Sequence, residues 1–338
     1  MSHDAEDVEK IVSTGALPGW HTVEHLVETA HETFAHVRDG EVADYIPALA
    51  EADPDLFGVC VVEVDGSVHS AGDVEHRFSV QSISKAFVFA LACQEVGHER
   101  VLETIGVNNT GLSFSSVMAI ELNGGHPMNP MVNVGAIATT ALAPGADQDA
   151  RWGFVRDGLS RFAGRELELD EGVLASETEG NQRNQSLALL LESYGRMPVD
   201  ALEAVDTYTR QCSLLVDARD LAVMGATLAG GGVNPLTGAR VVDAQIARDT
   251  LSVMATAGMY EHSGEWLFEV GAPAKSGVSG GIVTIAPGKG GLGTFSPPLD
   301  SAGNSVRGRR VAAYLADALG LDLFASAPPA TNTQTPVS

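Results

Sequence analysis

The stretch VQSISK, residues 80–85, sets a serine and a lysine three positions apart. The apolar spacing of SKAFVFALACQEVGHERVLETI predicts a helix of about five turns that begins here. Positions i and i+3 share a helix face, so Lys85 can reach the Ser82 hydroxyl. A buried lysine gives up its proton more readily, and a neutral amine is a base able to activate a serine. A serine at a helix start also keeps its backbone N–H free for an oxyanion. Lysine is a rare choice in this chain, which holds four: Lys10, Lys85, Lys275 and Lys289. The plain alternative is a capping serine followed by a solvent-facing lysine.

A second lysine stands in GAPAKSGVSGG, where Lys275-Ser276-Gly277 falls on a predicted late strand. S-x-x-K followed by a lysine–hydroxyl–glycine triplet is the chain order of penicillin-recognising serine hydrolases. There the glycine admits a close backbone and the strand supplies a second oxyanion donor. The phenols come next. Of the five tyrosines, Tyr260 lies in AGMYEHSG and Tyr208 in DTYTRQCS. A phenol beside a serine and a lysine can relay a proton. Any one of them can equally pack its ring and bond locally.

The elements that must position these residues follow from periodicity. HTVEHLVETAHETFAHVR, residues 21–38, predicts an amphipathic helix. GEVADYIPALAEADPDL predicts irregular chain or a short helix with turns. FGVCVVEVDGSVHSAGD predicts a hairpin turning at Asp65-Gly66. Residues 100–265 alternate helical patterns with loops, of which NGGHPMNPMVNVG and GGGVNPLTG are the clearest. From 267, LFEVGAPAK, GGIVTIAP and GLGTFSP predict an antiparallel meander, and SVRGRRVAAYLADALG a closing helix. This order suits one sheet of early and late strands with a helical insert, and a cleft between them.

Seven stretches carry a family resemblance: DYIPALA, VQSISK, HPMNPMVNVGAI, SETEGNQRN, DTYTRQCS, AGMYEHSG and PAKSGVSGG. FSPPLDSAGNSVRG continues it, and the whole runs in order from about residue 40 to about 310. The chain resembles the serine-dependent glutaminases of bacteria and animals. The resemblance implies an α/β (α+β) protein of the β-lactamase/penicillin-binding-protein-like fold, an antiparallel sheet flanked by helices plus a helical subdomain. One domain is expected over 1–324. Its sheet part takes about 20–80 and 265–324, its helical part about 81–264, and 325–338 is expected to be a disordered tail.

The implied reaction is hydrolysis of L-glutamine to L-glutamate and ammonia through a seryl acyl-enzyme, with no cofactor. Ser82 resembles the nucleophile and Lys85 its base, although a tyrosinate remains an alternative base. Tyr208 and Tyr260 resemble the phenols around the serine, with Tyr260 as the shuttle to ammonia. Val278, through its N–H, resembles the second oxyanion donor. Tyr45, Asn133, Glu177 and Asn184 resemble the residues that hold the amino-acid end of the substrate. Their chemistry agrees: a carboxylate pairs with the ammonium, and neutral donors meet the carboxylate. The resemblance also implies a homodimer or homotetramer. A β-lactamase or cell-wall peptidase, and a non-catalytic binding protein on the same scaffold, are the competing readings.

The bulk properties narrow the partners. A formal net charge of −24 over 338 residues repels phosphate backbones and anionic lipid, which argues against nucleic-acid and membrane partners. The three cysteines, Cys60, Cys93 and Cys212, form no disulfide framework or CxxC pair. MSHDAEDVEK has neither the basic nor the apolar segment of a secretory leader, and no run is long enough to span a membrane. A cytoplasmic protein is expected. His21, Glu24 and His25 spell H-x-x-E-H, a zinc-peptidase pattern, but no further ligand is identifiable. His21, His25, His31 and His36 are therefore expected at the surface. GKGGLG, residues 288–293, is expected between strands with no following helix, so it is no phosphate loop. Neither a metal nor a nucleotide is expected.

Overall fold

The protein's structure, a computed structural model, describes residues 15–110, 112 and 116–326. The leader question and nearly all of the tail lie outside those residues. Helix α1 (Trp20–Phe34) buries Val23, Val27, Ala30 and Phe34, a helical repeat along one face. The short α2 (Pro47–Ala50) follows in the irregular stretch. β1 (Gly58–Glu63) and β2 (Val68–Gly72) form the antiparallel hairpin across Asp65-Gly66. His31 departs from the expected surface position. It is half-buried, stacks on Phe57 at 4.7 Å and contacts the Phe57 carbonyl through Nε2 at 3.1 Å. Glu24 is likewise engaged, its Oε2 3.0 Å from Nδ1 of the buried His69, while His21, His25 and His36 are exposed.

β3 (Phe78–Ser79) leads through one 3-10 turn (Gln81–Ile83) into α3 (Ser84–Val96). Every residue from Ser84 to Cys93 is buried, so α3 is enclosed on all sides. The single helix expected to run on to Ile105 is broken. Gly97 takes φ +84° and starts a separate helix, α4 (His98–Thr104). Only glycine adopts that conformation cheaply, and it ends a helix.

The helical part continues with α5 (Met118–Glu121), α6 (Asn133–Ala141), α7 (Gln148–Ala163), α8 (Glu171–Gly180), α9 (Gln182–Ser193) and α10 (Ala201–Cys212). Aspartates fix several starts: Asp147, Asp170 and Asp200 each accept a first-turn N–H. The main core cluster gathers around α3 and takes in Phe87, Leu91, Leu159 and Phe162.

β4 (Leu215–Val216) pairs with β3, and α11 (Ala218–Ala229) and α12 (Ala244–Ala257) follow. Leu267, Phe268 and Glu269, expected as strand, close helix α13 (Ser263–Glu269). A short apolar run carries no period of its own, and here Trp266 decides. Its ring is buried and donates to the Ala272 carbonyl at 2.9 Å.

β5 (Ala274–Ser276), β6 (Gly281–Ala286) and β7 (Gly290–Phe295) complete an antiparallel sheet of order β2-β1-β7-β6-β5. The last four residues of GKGGLG therefore open β7 rather than lying between strands. α14 (Val306–Leu319) closes the fold and packs with α1 on one sheet face. α11 covers the other. β7 admits it because Gly293 has no side chain: a Cβ there would stand 2.1 Å from the Ala218 carbonyl oxygen. No described helix is long and apolar enough to cross a membrane.

This contact makes a test. Gly293→Ala must push α11 off the sheet and should cost about 1–3 kcal/mol. Gly153→Ala, in open space within α7, should instead stabilise by about 0.5–1 kcal/mol. Urea unfolding reads both, and equal stabilities would discard this account of the sheet–helix approach.

Candidate active site

Ser82 is half-buried in the 3-10 turn between β3 and α3. The turn is bought with backbone strain. Gln81 has φ +50° and Tyr260 φ +54°, the only positive values outside glycine among the described residues. Such conformations cost about 1–3 kcal/mol each and persist only when the surroundings hold them. Gln81 is held by its Nε2, which donates to Ser79 Oγ at 3.1 Å, and by a hydrogen bond with Glu177. The end of β5 presses from the other side: a Cβ on Gly277 would be 3.0 Å from the Val80 oxygen. That closeness brings Val278, the next residue, alongside the serine turn. Neither the Ser82 nor the Val278 N–H donates to a backbone carbonyl among the described residues.

Lys85 occupies the first turn of α3 and is 1% exposed. Its Nζ donates to Asn133 Oδ1 at 2.7 Å and to the Met131 carbonyl at 3.2 Å. Burial pushes the amine down to about 8, although Cys212 and Glu177 oppose the shift. Once deprotonated, the amine carries a lone pair able to take a proton.

The Lys85 bond to Asn133 Oδ1 fixes the polarity of the next one. Asn133, at the start of α6, spends its oxygen on Lys85, so its Nδ2 donates to Asn184 Oδ1 on α9 at 3.0 Å. The Asn184 amide nitrogen ends the chain as a donor.

Tyr260 is buried and its hydroxyl is hydrogen-bonded to Ser82. The same hydroxyl donates to the Ser276 carbonyl at 3.3 Å. Burial pushes the phenol up to about 12, with both serine contacts pulling the other way. Tyr208, buried on α10, lies with its ring 6.0 Å from Lys85 Nζ and bonds to Cys212. Burial raises it well above an ordinary phenol.

Glu177 on α8 is half-buried, and burial raises its carboxyl against the pull of Gln81 and Lys85. Its Oε1 is shielded from solvent and has no hydrogen-bond partner. A buried carboxylate oxygen left unpaired is costly and is suited to a cationic ligand. Tyr45 lies at the surface. Its surface is 64% exposed, yet protein around the hydroxyl, with Tyr260 and Glu177, still raises the phenol. The segment bearing it is anchored by Ile46 and Leu49 in a small cluster with Val173 and Val278.

The residues expected from the sequence thus gather around the Ser82 turn and Lys85. Lys275 is fully buried, with Nζ 4.1 Å from the Tyr260 ring centre. Gln81 was not legible as a site residue, since a glutamine carries no sign of a left-handed backbone. Asn304, whose Oδ1 is 2.6 Å from Ser276 Oγ, gave no local signal either. Among the described residues no group of His, Cys, Asp and Glu could hold a metal.

A five-stranded antiparallel sheet, a helical body and a serine–lysine helix start beside the edge strand define a protein of the β-lactamase-like fold. A family model described as Glutaminase matches residues 40–324, and the chain belongs to that family. Glutaminase 2 of Yersinia pestis is 56% identical over 94% of this chain and 93% of its own. The solved structure of a probable glutaminase, ybaS, superposes with a TM-score of 0.90 at 45% identity, over 91% of this chain and all of that one. Mglu in its glutamate form superposes at 0.87 and 40% identity, over 92% of this chain and 72% of that one. The chain is a glutaminase, hydrolysing glutamine to glutamate.

The buried amine sets a pH signature. An exposed lysine in the unfolded chain titrates at 10.5, against about 8 when folded. Below about pH 8 both states are protonated and the full penalty applies, about 3 kcal/mol. Between the two values the unfolded chain binds the extra proton, so stability rises with pH through that window. Lys85→Met removes the penalty. Its stability relative to the parent should therefore fall by about 3 kcal/mol from about pH 7 to pH 10.5 in urea unfolding. A pH-independent difference would remove the depressed amine from the account.

Proposed function

We propose that Ser82 attacks the side-chain amide of L-glutamine and carries the glutamyl group as an ester. The observation that supports this most is the Lys85 amine, buried and depressed to about 8, one helical turn past that serine. Ser82 Oγ bonds to the amide carbon as its proton passes to the Lys85 lone pair. Lys85 and Tyr260, whose hydroxyl is bonded to Ser82, are taken as one proton-sharing set. The N–H groups of Ser82 and Val278 take the oxyanion. Tyr260 passes a proton to the departing ammonia and is reprotonated through the same set. Water then attacks the ester and releases glutamate and the Ser82 hydroxyl.

At the other end of the substrate, Glu177 pairs with the ammonium, which its unpartnered Oε1 favours. Asn184, Asn133 and Tyr45 serve the carboxylate, and Tyr208 closes the wall beside Lys85. The glutamate form of the neighbour Mglu agrees with an amino-acid site on this fold. A cytoplasmic dimer or tetramer completes the reading. Its support is the family and three free, buried cysteines, as a reducing compartment leaves them. Light scattering reads the assembly, and the mass of a single chain would remove that part.

Ser82→Ala should lower kcat for L-glutamine at least ~10⁴-fold, and adding Lys85→Ala should cost little more. Parent kcat/KM should climb with pH through about 8 as Lys85 loses its proton. Turnover that survives in Ser82→Ala would move the chemistry to another residue. Glu177→Gln should raise KM about tenfold to a hundredfold with a smaller effect on kcat. An unchanged KM would take the ammonium away from Glu177.

A further inference from the structure

Lys275 is a buried amine that the chemistry above leaves idle. It lies on β5, an edge strand of the sheet, and is 0% exposed. Burial, then the nearby Lys85, drive its amine well below the ordinary lysine value. No carboxylate pairs with it among the described residues. An apolar side chain of similar length would fill the same space without that cost.

What the amine touches is specific. Its Nζ donates to the Ser276 carbonyl at 2.8 Å and sits on the Tyr260 ring, 4.1 Å from its centre. The Tyr260 hydroxyl donates to that same carbonyl at 3.3 Å. The Ser276 side chain is tied in turn to Asn304. Tyr260 itself has a backbone, at φ +54°, that must be held from outside.

We propose that Lys275 is the positioning residue for Tyr260, its amine clamping the phenol between the ring face and the shared Ser276 carbonyl so that the hydroxyl stays on Ser82. It touches neither substrate nor the reacting atoms and acts through the phenol alone. The proposal rests on Tyr260 serving as the proton relay. A relay displaced by a fraction of an ångström loses rate without losing substrate affinity, because position matters most in the transition state.

The test is a double-mutant cycle on L-glutamine turnover with Lys275→Met and Tyr260→Phe, with Ser82→Ala alongside. Lys275→Met should lower kcat about a hundredfold while KM moves less than about threefold. In the Tyr260→Phe background the same change should cost less than about threefold, since the group it positions is gone. Lys275→Gln, which keeps a donor for the Ser276 carbonyl, should regain about tenfold of the loss. Equal costs in both backgrounds, a loss carried in KM, or a parent-like kcat in Lys275→Met would overturn the proposal. Should Lys275→Met not fold, Lys275→Gln carries the cycle, with a loss of about tenfold in kcat that falls below about threefold in the Tyr260→Phe background. Failure of the serine reading is separate: it shows as turnover in Ser82→Ala, whatever Lys275 does.

Discussion

The structure depends on keeping one amine dry. Lys85 enters the core on a helix that is enclosed on every side, where a charge is expensive and a neutral amine is tolerable. Its Nζ donates to the Met131 carbonyl and to Asn133 Oδ1. From the second bond follow the orientation of Asn133, the polarity of the Asn133–Asn184 bond, and the donor left over on Asn184. An amide oriented by a lysine cannot flip without breaking a buried bond, so the Asn184 donor is set by the fold itself.

The rest of the fold supplies the pressure that holds strained pieces in place. α11 lies directly against β7 through glycine, and β7 holds β6 and β5 in register. The end of β5 then reaches the serine turn through another glycine, Gly277. Strain at Gln81 and Tyr260 is thus maintained by the packed body around them. A glutamine or tyrosine in a left-handed backbone would relax in a looser setting.

Charge is divided in the same spirit. All three described lysines, Lys85, Lys275 and Lys289, are buried, and Lys289 caps the end of α14 through the Gly320 carbonyl at 2.6 Å. Surface ion pairs use arginine instead, as in Arg309–Glu269 and Arg310–Asp39. Arginine keeps its proton almost anywhere, whereas lysine yields it when desolvated. The scarcity of lysine in the sequence is the outward trace of this division.

Much of the site was legible because it is local. Ser82 and Lys85 stand three positions apart where the 3-10 turn runs into α3, and the hairpin and closing helix follow from short-range periodicity. The family motifs added Glu177, Asn184 and Tyr260, although nothing local joins them. The break at Gly97 and the helical end of LFEV escaped because short apolar runs carry no decisive period. The left-handed Gln81 escaped because its conformation is imposed from outside. Sequence by itself determined which groups were present and which near neighbours shared a face. Tertiary packing alone decided the dryness of Lys85, the strain at Gln81 and the seat of Lys275 behind Tyr260, because desolvation and close approach arise only where distant segments exclude water together.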